Sequence, residues 1–323
     1  MNKILEIKNL KVHFELAGGW FKPKRVVHAV DGISFDVFEG ETIGVVGESG
    51  CGKSSLARAL CGLNKITAGN VIFNQKIDLA TANAQQWDEV HKQMQFIFQD
   101  PVAALDPRMT VAEIIAEPLI TLFPQMKAQE VMEKVLETMK LVGLSSNQVN
   151  RYPQEFSGGQ CQRIGIARAL ILKPKVLICD ESVSALDVSI KAQIINLLQE
   201  LQQKLHLTII FISHDLGVVK HICNRILVMY LGNIMELGDK KTIYSQTLHP
   251  YTKALLSAVP VANPTLEKTK TRQLLDGDLP SPINPPHGCV FSTRCPQANL
   301  ECKQYRPKSK LVNNHIVTCC QVN

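Results

Sequence analysis

The sequence predicts an α/β fold with a doubly wound parallel sheet, preceded by a small antiparallel sheet. Three observations predict it. A short apolar run, a glycine-rich loop and a helix pattern follow one another over residues 42–63, as in the βα unit of a parallel sheet. Strand and helix patterns alternate again over residues 160–213. Period-two alternation over residues 4–40, interrupted by the basic stretch GGWFKPKR, is typical of antiparallel strands.

Composition narrows the class of protein. At 323 residues the chain can form one large domain with subdomains, or a domain with an appendage. Its apolar runs are far shorter than the roughly 20 residues that cross a bilayer, and its N-terminus lacks the apolar core of a signal peptide. We therefore expect a cytoplasmic protein. The net charge of +6 is spread along the chain, so we expect no nucleic-acid partner.

The first chemical motif is GESGCGKS at residues 47–54, between the strand and the helix. It matches Gly-x4-Gly-Lys-Ser, in which backbone N–H groups converge on phosphate oxygens. Lys53 would reach the β- and γ-phosphates, and the Ser54 hydroxyl would bind Mg²⁺. The motif predicts a P-loop NTPase core of the RecA-like type. The residues predicted to bind nucleotide here are Gly47, Glu48, Ser49, Gly50, Cys51, Gly52, Lys53, Ser54 and Ser55.

Helical patterns dominate the middle of the chain. Within residues 126–144, Val131, Val135 and Met139 recur at i, i+4 and i+8, with Met132 and Leu136 beside them. This spacing predicts a helical subdomain, at about residues 100–172, inserted between the P-loop and the next strand of the core.

That strand, VLICDE at residues 176–181, ends in two carboxylates. Asp180 can hold Mg²⁺, through a water ligand, and Glu181 can polarise the attacking water. These are the residue types that complete a nucleotide hydrolysis site.

A second anion-binding pattern opens the helix after residue 156. It consists of Ser157, Gly158, Gly159 and Gln160, and a helix start of this kind suits an anion. The simpler alternative is a helix cap, since serine is a favoured capping residue.

Six motifs in this order resemble those of ABC-type ATPases over about residues 3–255. They are the P-loop at 47–54, Gln99 in IFQDP, SGGQ at 157–160, the strand 176–181, SALD at 184–187 and His214 in FISHD. The resemblance implies that Gln99 lies between the Mg²⁺ site and the helical subdomain, and that His214 contacts the γ-phosphate. Glu181, His214 and Gln99 are then the catalytic residues, and Ser54, Gln99 and Asp180 the Mg²⁺ ligands.

The resemblance also implies a dimer in which two chains enclose two ATP molecules head to tail. Ser157 and Gly159 of one chain would reach the γ-phosphate bound by the other. Cys161 stands where the family commonly has arginine, which removes a charge near that interface. The family stacks adenine on an aromatic residue near the N-terminal sheet. The candidates for this role are Phe14, Trp20, Phe21 and Arg25.

Composition shifts near residue 260 towards proline and polar residues. We expect an ATPase domain over 1–258 and a small cysteine-containing C-terminal tail over 259–323. HPYTKALLSAVP at 249–260 and LPSPINPPHGCVFSTRC at 279–295 resemble the ATPases of oligopeptide and dipeptide permeases.

This second resemblance implies an ATP-hydrolysing subunit that energises peptide import. The alternatives are an importer of nickel or another small solute from the same family, and a soluble ABC protein without a transport role. The implied partners are a homologous ATPase subunit, in a hetero- or homodimer, two transmembrane permease subunits and, indirectly, an extracytoplasmic peptide-binding protein. The implied location is peripheral, on the cytoplasmic face of the inner membrane.

Four cysteines of the tail, Cys289, Cys295, Cys302 and Cys319, are separated by 5, 6 and 16 residues. These spacings lack the C-x2-C pairs of common zinc ribbons. A tail too small to bury its own core suggests a ligated centre, and the permease resemblance implies a 4Fe–4S cluster. Zinc and unligated thiols are the alternatives, and Cys320 is a substitute ligand.

Overall fold

The computed structural model describes residues 2–16, 25–184, 186–260, 269, 273–313 and 315–322. Its strands are β1 (Lys3–Leu16), β2 (Arg25–Phe38), β3 (Thr42–Val46), β4 (Ala68–Phe73), β5 (Ile77–Asp78), β6 (Met94–Ile97), β7 (Val176–Asp180), β8 (Thr208–Ile212), β9 (Arg225–Tyr230), β10 (Asn233–Asp239), β11 (Lys310–Val312) and β12 (His315–Val317). Its helices are α1 (Lys53–Leu60), α2 (Ala84–Gln93), α3 (Val111–Leu122), α4 (Ala128–Leu141), α5 (Gly158–Leu170), α6 (Val188–Leu205), α7 (Leu216–Ile222), α8 (Lys240–Ser245), α9 (Pro250–Ser257) and α10 (Leu300–Gln304).

The chain divides into two compact units. The P-loop unit comprises Lys3–Val37, Thr42–Thr81 and Ser213–Asn323. The helical unit comprises Met1–Asn2, Phe38–Glu41 and Ala82–Ile212.

The P-loop unit contains a four-stranded sheet in the order β2-β1-β4-β5. β1 pairs antiparallel with β4, and β4 pairs antiparallel with β5. The buried positions of β1 change parity along the strand, from Leu5 and Ile7 to Leu10 and Val12. The register shifts between Lys8 and Lys11, because a β-bulge inserts one extra residue and re-aims the side chains that follow.

The same unit contains strands in the order β11-β12-β10-β9-β3. β3 runs parallel to β9, whereas β9, β10, β12 and β11 pair antiparallel in turn. The last two strands come from the tail. Glu236 of β10 pairs with Val317 of β12, so the tail extends the sheet that also carries β3 and the P-loop.

The helical unit contains the parallel strands β8-β7-β6. β7 and β8 are buried along their whole length, which fits the continuous apolar runs of the sequence. Helix α3 packs against α4 and α5. It begins with a capping box formed by Thr110 and Glu113, a local signal that fixes the start of a helix.

Helix α4 buries the predicted stripe of Val131, Val135 and Met139. Met132 and Leu136, which the sequence placed beside that stripe, are exposed. Helix α5 begins at Gly158, directly after its capping residue Ser157, as the SGGQ pattern predicted. The predicted fold class is confirmed: an α/β core with an antiparallel β subdomain, inserted helices and a small C-terminal tail.

Candidate functional site

The loop 47–54 joins β3 to α1 within the P-loop unit, and its backbone requires glycine at two positions. Gly47 and Gly52 have φ values of +151° and +104°. A Cβ atom at Gly47 would overlap the carbonyl oxygen of Met229, and one at Gly52 would overlap the carbonyl oxygen of Ala29. Side chains are therefore excluded from the points where the loop packs on its own unit.

Lys53 lies near the end of this loop, and its side chain folds back to the loop's first residues. Its side chain is 4% exposed, and its Nζ donates hydrogen bonds to the carbonyl oxygens of Gly47 at 2.9 Å and Glu48 at 3.0 Å. Because Lys53 is also the first residue of α1, its ammonium group and the helix N-terminus offer positive charge in the same loop. Ser54 and Ser55 follow in the first turn and are partly exposed.

The helical unit brings together two of the predicted catalytic residues. Glu181 directly follows β7, and Gln99 Nε2 donates a hydrogen bond of 3.0 Å to Glu181 Oε2. The backbone N–H of Glu181 donates to the carbonyl oxygen of Ile212 at 3.1 Å. Asp180, the last residue of β7, is buried. Two carboxylates therefore lie at the end of β7. That of Asp180 is buried, and that of Glu181 accepts a hydrogen bond from Gln99.

Glu181 has a φ of +45°, in the left-handed region that a glutamate occupies at a cost. The hydroxyl of Ser184 donates to the Glu181 carbonyl oxygen at 2.8 Å and closes the turn. Strained backbone of this kind is concentrated at functional sites. Ala185, in the middle of the predicted stretch 184–187, lies outside the described residues.

His214 belongs to the P-loop unit and is exposed in the connection between β8 and α7. The next residue, Asp215, caps α7 by accepting a hydrogen bond from the N–H of Val218 at 3.2 Å. The P-loop and His214 thus lie in one unit, whereas Gln99, Asp180 and Glu181 lie in the other. The role of His214 stays a prediction.

Both interpretations of SGGQ find support in its geometry. Ser157 and Gln160 form a capping box, in which Ser157 N–H donates to Gln160 Oε1 at 3.0 Å. Ser157 and Gly158 are exposed, whereas Gly159 is buried. Cys161 is also buried, and its thiol donates to the Pro153 carbonyl oxygen at 3.6 Å. Cys161 therefore packs inside the helical unit, unlike the charged interface residue that it was expected to replace.

Two residues that the sequence did not single out contact the P-loop. Arg294 Nη1 lies 2.7 Å from Glu48 Oε2, and the Tyr251 hydroxyl oxygen accepts a hydrogen bond of 2.9 Å from the Glu48 N–H. Tyr251 belongs to the HPYT stretch and Arg294 directly precedes Cys295. These two motifs were the only signal in the sequence that could have drawn attention to Tyr251 and Arg294.

The tail cysteines lie close enough for their thiols to affect one another's pKa. Cys289, Cys302 and Cys319 are buried and Cys295 is half-buried. Burial, followed by the neighbouring thiols of Cys302, Cys319 and Cys295, raises the pKa of Cys289 to about 11. Burial also raises the pKa of Cys320 to about 12, with Cys302 as its next cause. A cation would relieve this mutual repulsion of thiolates.

A different cluster, His13, His28 and Asp31, brings metal-ligand atoms within 4.8 Å of one another. Two cations already face its carboxylate. Arg306 Nη1 lies 2.8 Å from Asp31 Oδ2, and Lys11 Nζ lies 3.7 Å from Asp31 Oδ1. Because these charges repel a metal ion, we interpret the cluster as a structural anchor for the tail.

Of the adenine candidates, Phe14 and Arg25 are exposed at the ends of β1 and β2. Trp20 and Phe21 lie outside the described residues. An adenine-stacking role for one of the four stays a prediction.

Across the residues that the structure describes, no helix combines the length and the apolar character needed to span a bilayer.

Two family models match the chain. The model described as ABC transporter matches residues 30–184. The model described as Oligopeptide/dipeptide transporter, C-terminal region, matches residues 235–302. The first match lies within the predicted ATPase domain, and the second spans the end of that domain and the tail as far as residue 302.

Curated relatives match over nearly the whole chain. The oligopeptide transport ATP-binding protein OppF of Salmonella typhimurium is 58% identical, with 99% of this chain and 96% of that protein covered. OppF of Escherichia coli is 59% identical with the same coverage. The putative oligopeptide transport ATP-binding protein YkfD of Bacillus subtilis is 50% identical, with 99% and 95% covered.

Solved structures match the cassette. A dimeric post-hydrolysis state of the ATP-binding cassette MJ0796, bound to ADP and Pi, has a TM-score of 0.65 at 26% identity, with 73% of this chain and 98% of that chain covered. The cbiO1 protein from Clostridium perfringens, part of the ABC transporter complex cbiONQ, has a TM-score of 0.64 at 27% identity, with 76% and 92% covered.

Proposed function

The chain belongs to the ABC transporter ATPase family, and we propose that it is the ATP-hydrolysing subunit of a permease that imports oligopeptides or dipeptides. One observation carries the proposal: identity of 56–59% to OppF proteins of three organisms over 99% of the chain. This similarity includes the C-terminal region as well as the cassette, so it favours a peptide over nickel or another small solute.

We propose that the P-loop holds ATP together with Mg²⁺. The buried ammonium group of Lys53 and the N–H groups at the start of α1 would bind the phosphates, and a side chain at Gly47 or Gly52 could not fit. Ser54, Gln99 and Asp180 would hold Mg²⁺, which supplies Lewis-acid polarisation of the phosphate oxygens.

In this proposal Glu181 is the residue that polarises the attacking water. Gln99 contributes by fixing one carboxylate oxygen of Glu181 through its 3.0 Å hydrogen bond. The carboxylate held in this way can accept a proton from the attacking water. His214 would donate to the γ-phosphate, because an exposed imidazole after a strand can reach a ligand.

We propose that the active form is a dimer with a homologous ATPase subunit, either a second copy or a paralogue. The exposed Ser157 and Gly158 at the start of α5 can offer N–H groups to the γ-phosphate of a partner's ATP. Gly159 lies behind them, against the Ile190 side chain. Hydrolysis would remove the bridging phosphate and release the dimer.

The further partners we propose are two transmembrane permease subunits, with an extracytoplasmic peptide-binding protein acting through them. The proposed location is peripheral, at the cytoplasmic face of the inner membrane. The stretch around Gln99 exposes Phe98 and Val102, which suits docking to a cytoplasmic loop of a permease.

We also propose that the four predicted cysteines hold a 4Fe–4S cluster. Burial and the neighbouring thiols of Cys302, Cys319 and Cys295 raise the pKa of Cys289 to about 11, and a cationic iron centre would stabilise the deprotonated form. When bound, it would cross-link the tail and supply a one-electron redox couple.

Iron and sulfide analysis of the anaerobically purified protein tests the cluster. We expect about four irons per chain, with broad visible absorption, as a 4Fe–4S cluster requires. Cys295→Ser should lose both signals, and Cys320→Ser, outside the proposed ligand set, should keep them. Zinc in place of iron, or thiols without metal, would contradict the proposal.

The Glu181→Gln variant tests the ATPase. Removal of the general base should lower turnover by about 10²–10⁴-fold and leave ATP affinity unchanged. Size-exclusion chromatography with Mg²⁺-ATP should then detect a trapped dimer. Glu200→Gln, on the exposed face of α6, is the matched control and should hydrolyse ATP normally. Turnover within a few-fold of wild type would sink the role of Glu181.

The solute is tested in cells that contain the permease subunits. ATP-dependent uptake of a labelled oligopeptide should be lost with Glu181→Gln. Uptake of nickel in place of peptide would assign the protein to the other importer class.

A further inference from the structure

The C-terminal tail reaches the phosphate-binding loop through one ion pair. Arg294 Nη1 lies 2.7 Å from Glu48 Oε2, and the two side chains are only 10% and 28% exposed. The Arg294 guanidinium carbon also lies 5.9 Å from the centre of the Tyr230 ring. The guanidinium group is therefore held between a carboxylate and an aromatic face.

An aromatic cluster supports this contact and adds another. The rings of Tyr230, Tyr251 and Phe291 lie 4.8–5.3 Å apart, and all three side chains are fully buried. Tyr251 accepts the N–H of Glu48 at 2.9 Å. Glu48 is thus held at its backbone by Tyr251 and at its side chain by Arg294.

The backbone of the tail fixes the segment that carries Arg294. The N–H of Cys289 donates to the carbonyl oxygen of Cys302 at 2.8 Å, and the N–H of Arg294 donates to that of Phe291 at 3.1 Å. Arg294 therefore approaches the loop from a folded turn.

We propose that Arg294 is a positioning residue of the nucleotide site, which neutralises Glu48 so that the P-loop can accept the triphosphate. The inference rests on the proposed function, since it takes the loop 47–54 as the phosphate site. A glutamate in this loop places a negative charge in a site for a polyanion, where it opposes binding. The guanidinium group cancels that charge, and the Tyr251 hydroxyl fixes the direction of the Glu48 N–H.

Arg294 acts through Glu48 and has no role in the chemical step. ATP affinity and the rate of hydrolysis should therefore respond differently to a change at Arg294. ATP affinity should depend on the charge at position 294, whereas the rate of hydrolysis at saturating ATP should change little.

The test is a charge cycle between the two residues, read as the Kd of Mg²⁺-ATP by calorimetric titration of the full-length protein. Arg294→Gln should raise the Kd by about tenfold or more, because it leaves an unpaired carboxylate in the loop. The double variant Arg294→Gln with Glu48→Gln should return the Kd to within about threefold of wild type. Arg294→Lys, which keeps the charge, should stay close to wild type.

The matched control is Arg108→Gln, which breaks an ion pair of similar length, 2.8 Å to Asp106, in the helical unit. It should leave the Kd unchanged. Thermal unfolding by circular dichroism establishes that each variant is folded. If Arg294→Gln does not fold, Glu48→Gln alone carries the test, because it leaves Arg294 uncompensated and should tighten ATP binding by about threefold or more.

Two results would overturn the inference. One is an Arg294→Gln variant that binds ATP like wild type. The other is a folded double variant that binds as weakly as Arg294→Gln, since the loss would then come from packing. If the wild-type protein and a Lys53→Ala variant both fail to bind ATP, the proposed function fails instead.

Discussion

His249 links acidity to the helix that supports the P-loop. It precedes α9 and is buried, and its Nδ1 accepts the N–H of Tyr251 at 3.1 Å as a helix cap. Burial lowers the pKa of His249 from 6.5 to about 4, and the charge of Lys253 adds to the effect. Only the neutral imidazole can accept this hydrogen bond, so protonation removes the cap.

The sign and size of the effect follow from linkage. Between pH 6.5 and about 4, the unfolded segment binds the proton and the folded segment does not. The stability that the neutral His249 gives to α9 is therefore fully present above pH 6.5, and it falls as the pH drops towards 4. At pH 5 the deficit is about 1.5 pKa units, or about 2 kcal/mol, which increases local opening by about 30-fold.

Amide hydrogen exchange of α9, followed by mass spectrometry at pH 7.5 and pH 5 and corrected for intrinsic rates, measures this opening. We expect the wild-type helix to lose about 30-fold in protection at pH 5. His249→Asn keeps a capping oxygen that does not titrate, so its protection should not change with pH.

His206→Asn is the matched control, because His206 is exposed at the end of α6 with a φ of 51°, which asparagine tolerates. This variant should behave like wild type. An equal acid loss in His249→Asn, or no loss in wild type, would refute the reasoning.

Two further substitutions test the packing behind the site. Gly159→Ala places a Cβ where the Ile190 side chain lies. We therefore expect a loss of about 1–3 kcal/mol in unfolding free energy and weaker ATP-dependent dimerisation. The control is Gly165→Ala, in the same helix with open space around it, which should be neutral or stabilising in both assays. Glu236→Gln alters a fully buried carboxylate that accepts two backbone N–H groups and a threonine hydroxyl. It should cost about 1–3 kcal/mol in chemical denaturation, because the amide nitrogen cannot accept the hydrogen bonds that a carboxylate oxygen accepts, whereas Glu200→Gln at the surface should cost almost nothing.

Local patterns predicted most of the cassette. The P-loop could be predicted because a strand, a loop with three glycines and a lysine, and a helix follow one another within residues 42–60. The inserted helices were readable from the spacing of Val131, Val135 and Met139. Both rest on neighbours in sequence, where backbone geometry leaves few alternatives.

Other features depend on residues distant in sequence. The bulge in β1 depends on pairing with β4, and the exposure of Met132 and Leu136 depends on which helices pack against α4. Gln99 and Glu181 meet across 82 residues. Their order along the chain suggested a shared site, but only the folded structure shows the hydrogen bond between them.

The sequence by itself determined the fold class and the phosphate-binding loop, because their signals are local and periodic. Only the tertiary structure decided which residues, distant in sequence, contact that loop. Arg294 reaches Glu48 across 246 residues, through a tail that adds β12 to the sheet and packs Phe291 against Tyr230 and Tyr251. No short-range pattern encodes such a contact, since it depends on burying a shared aromatic surface when the two ends of the chain meet.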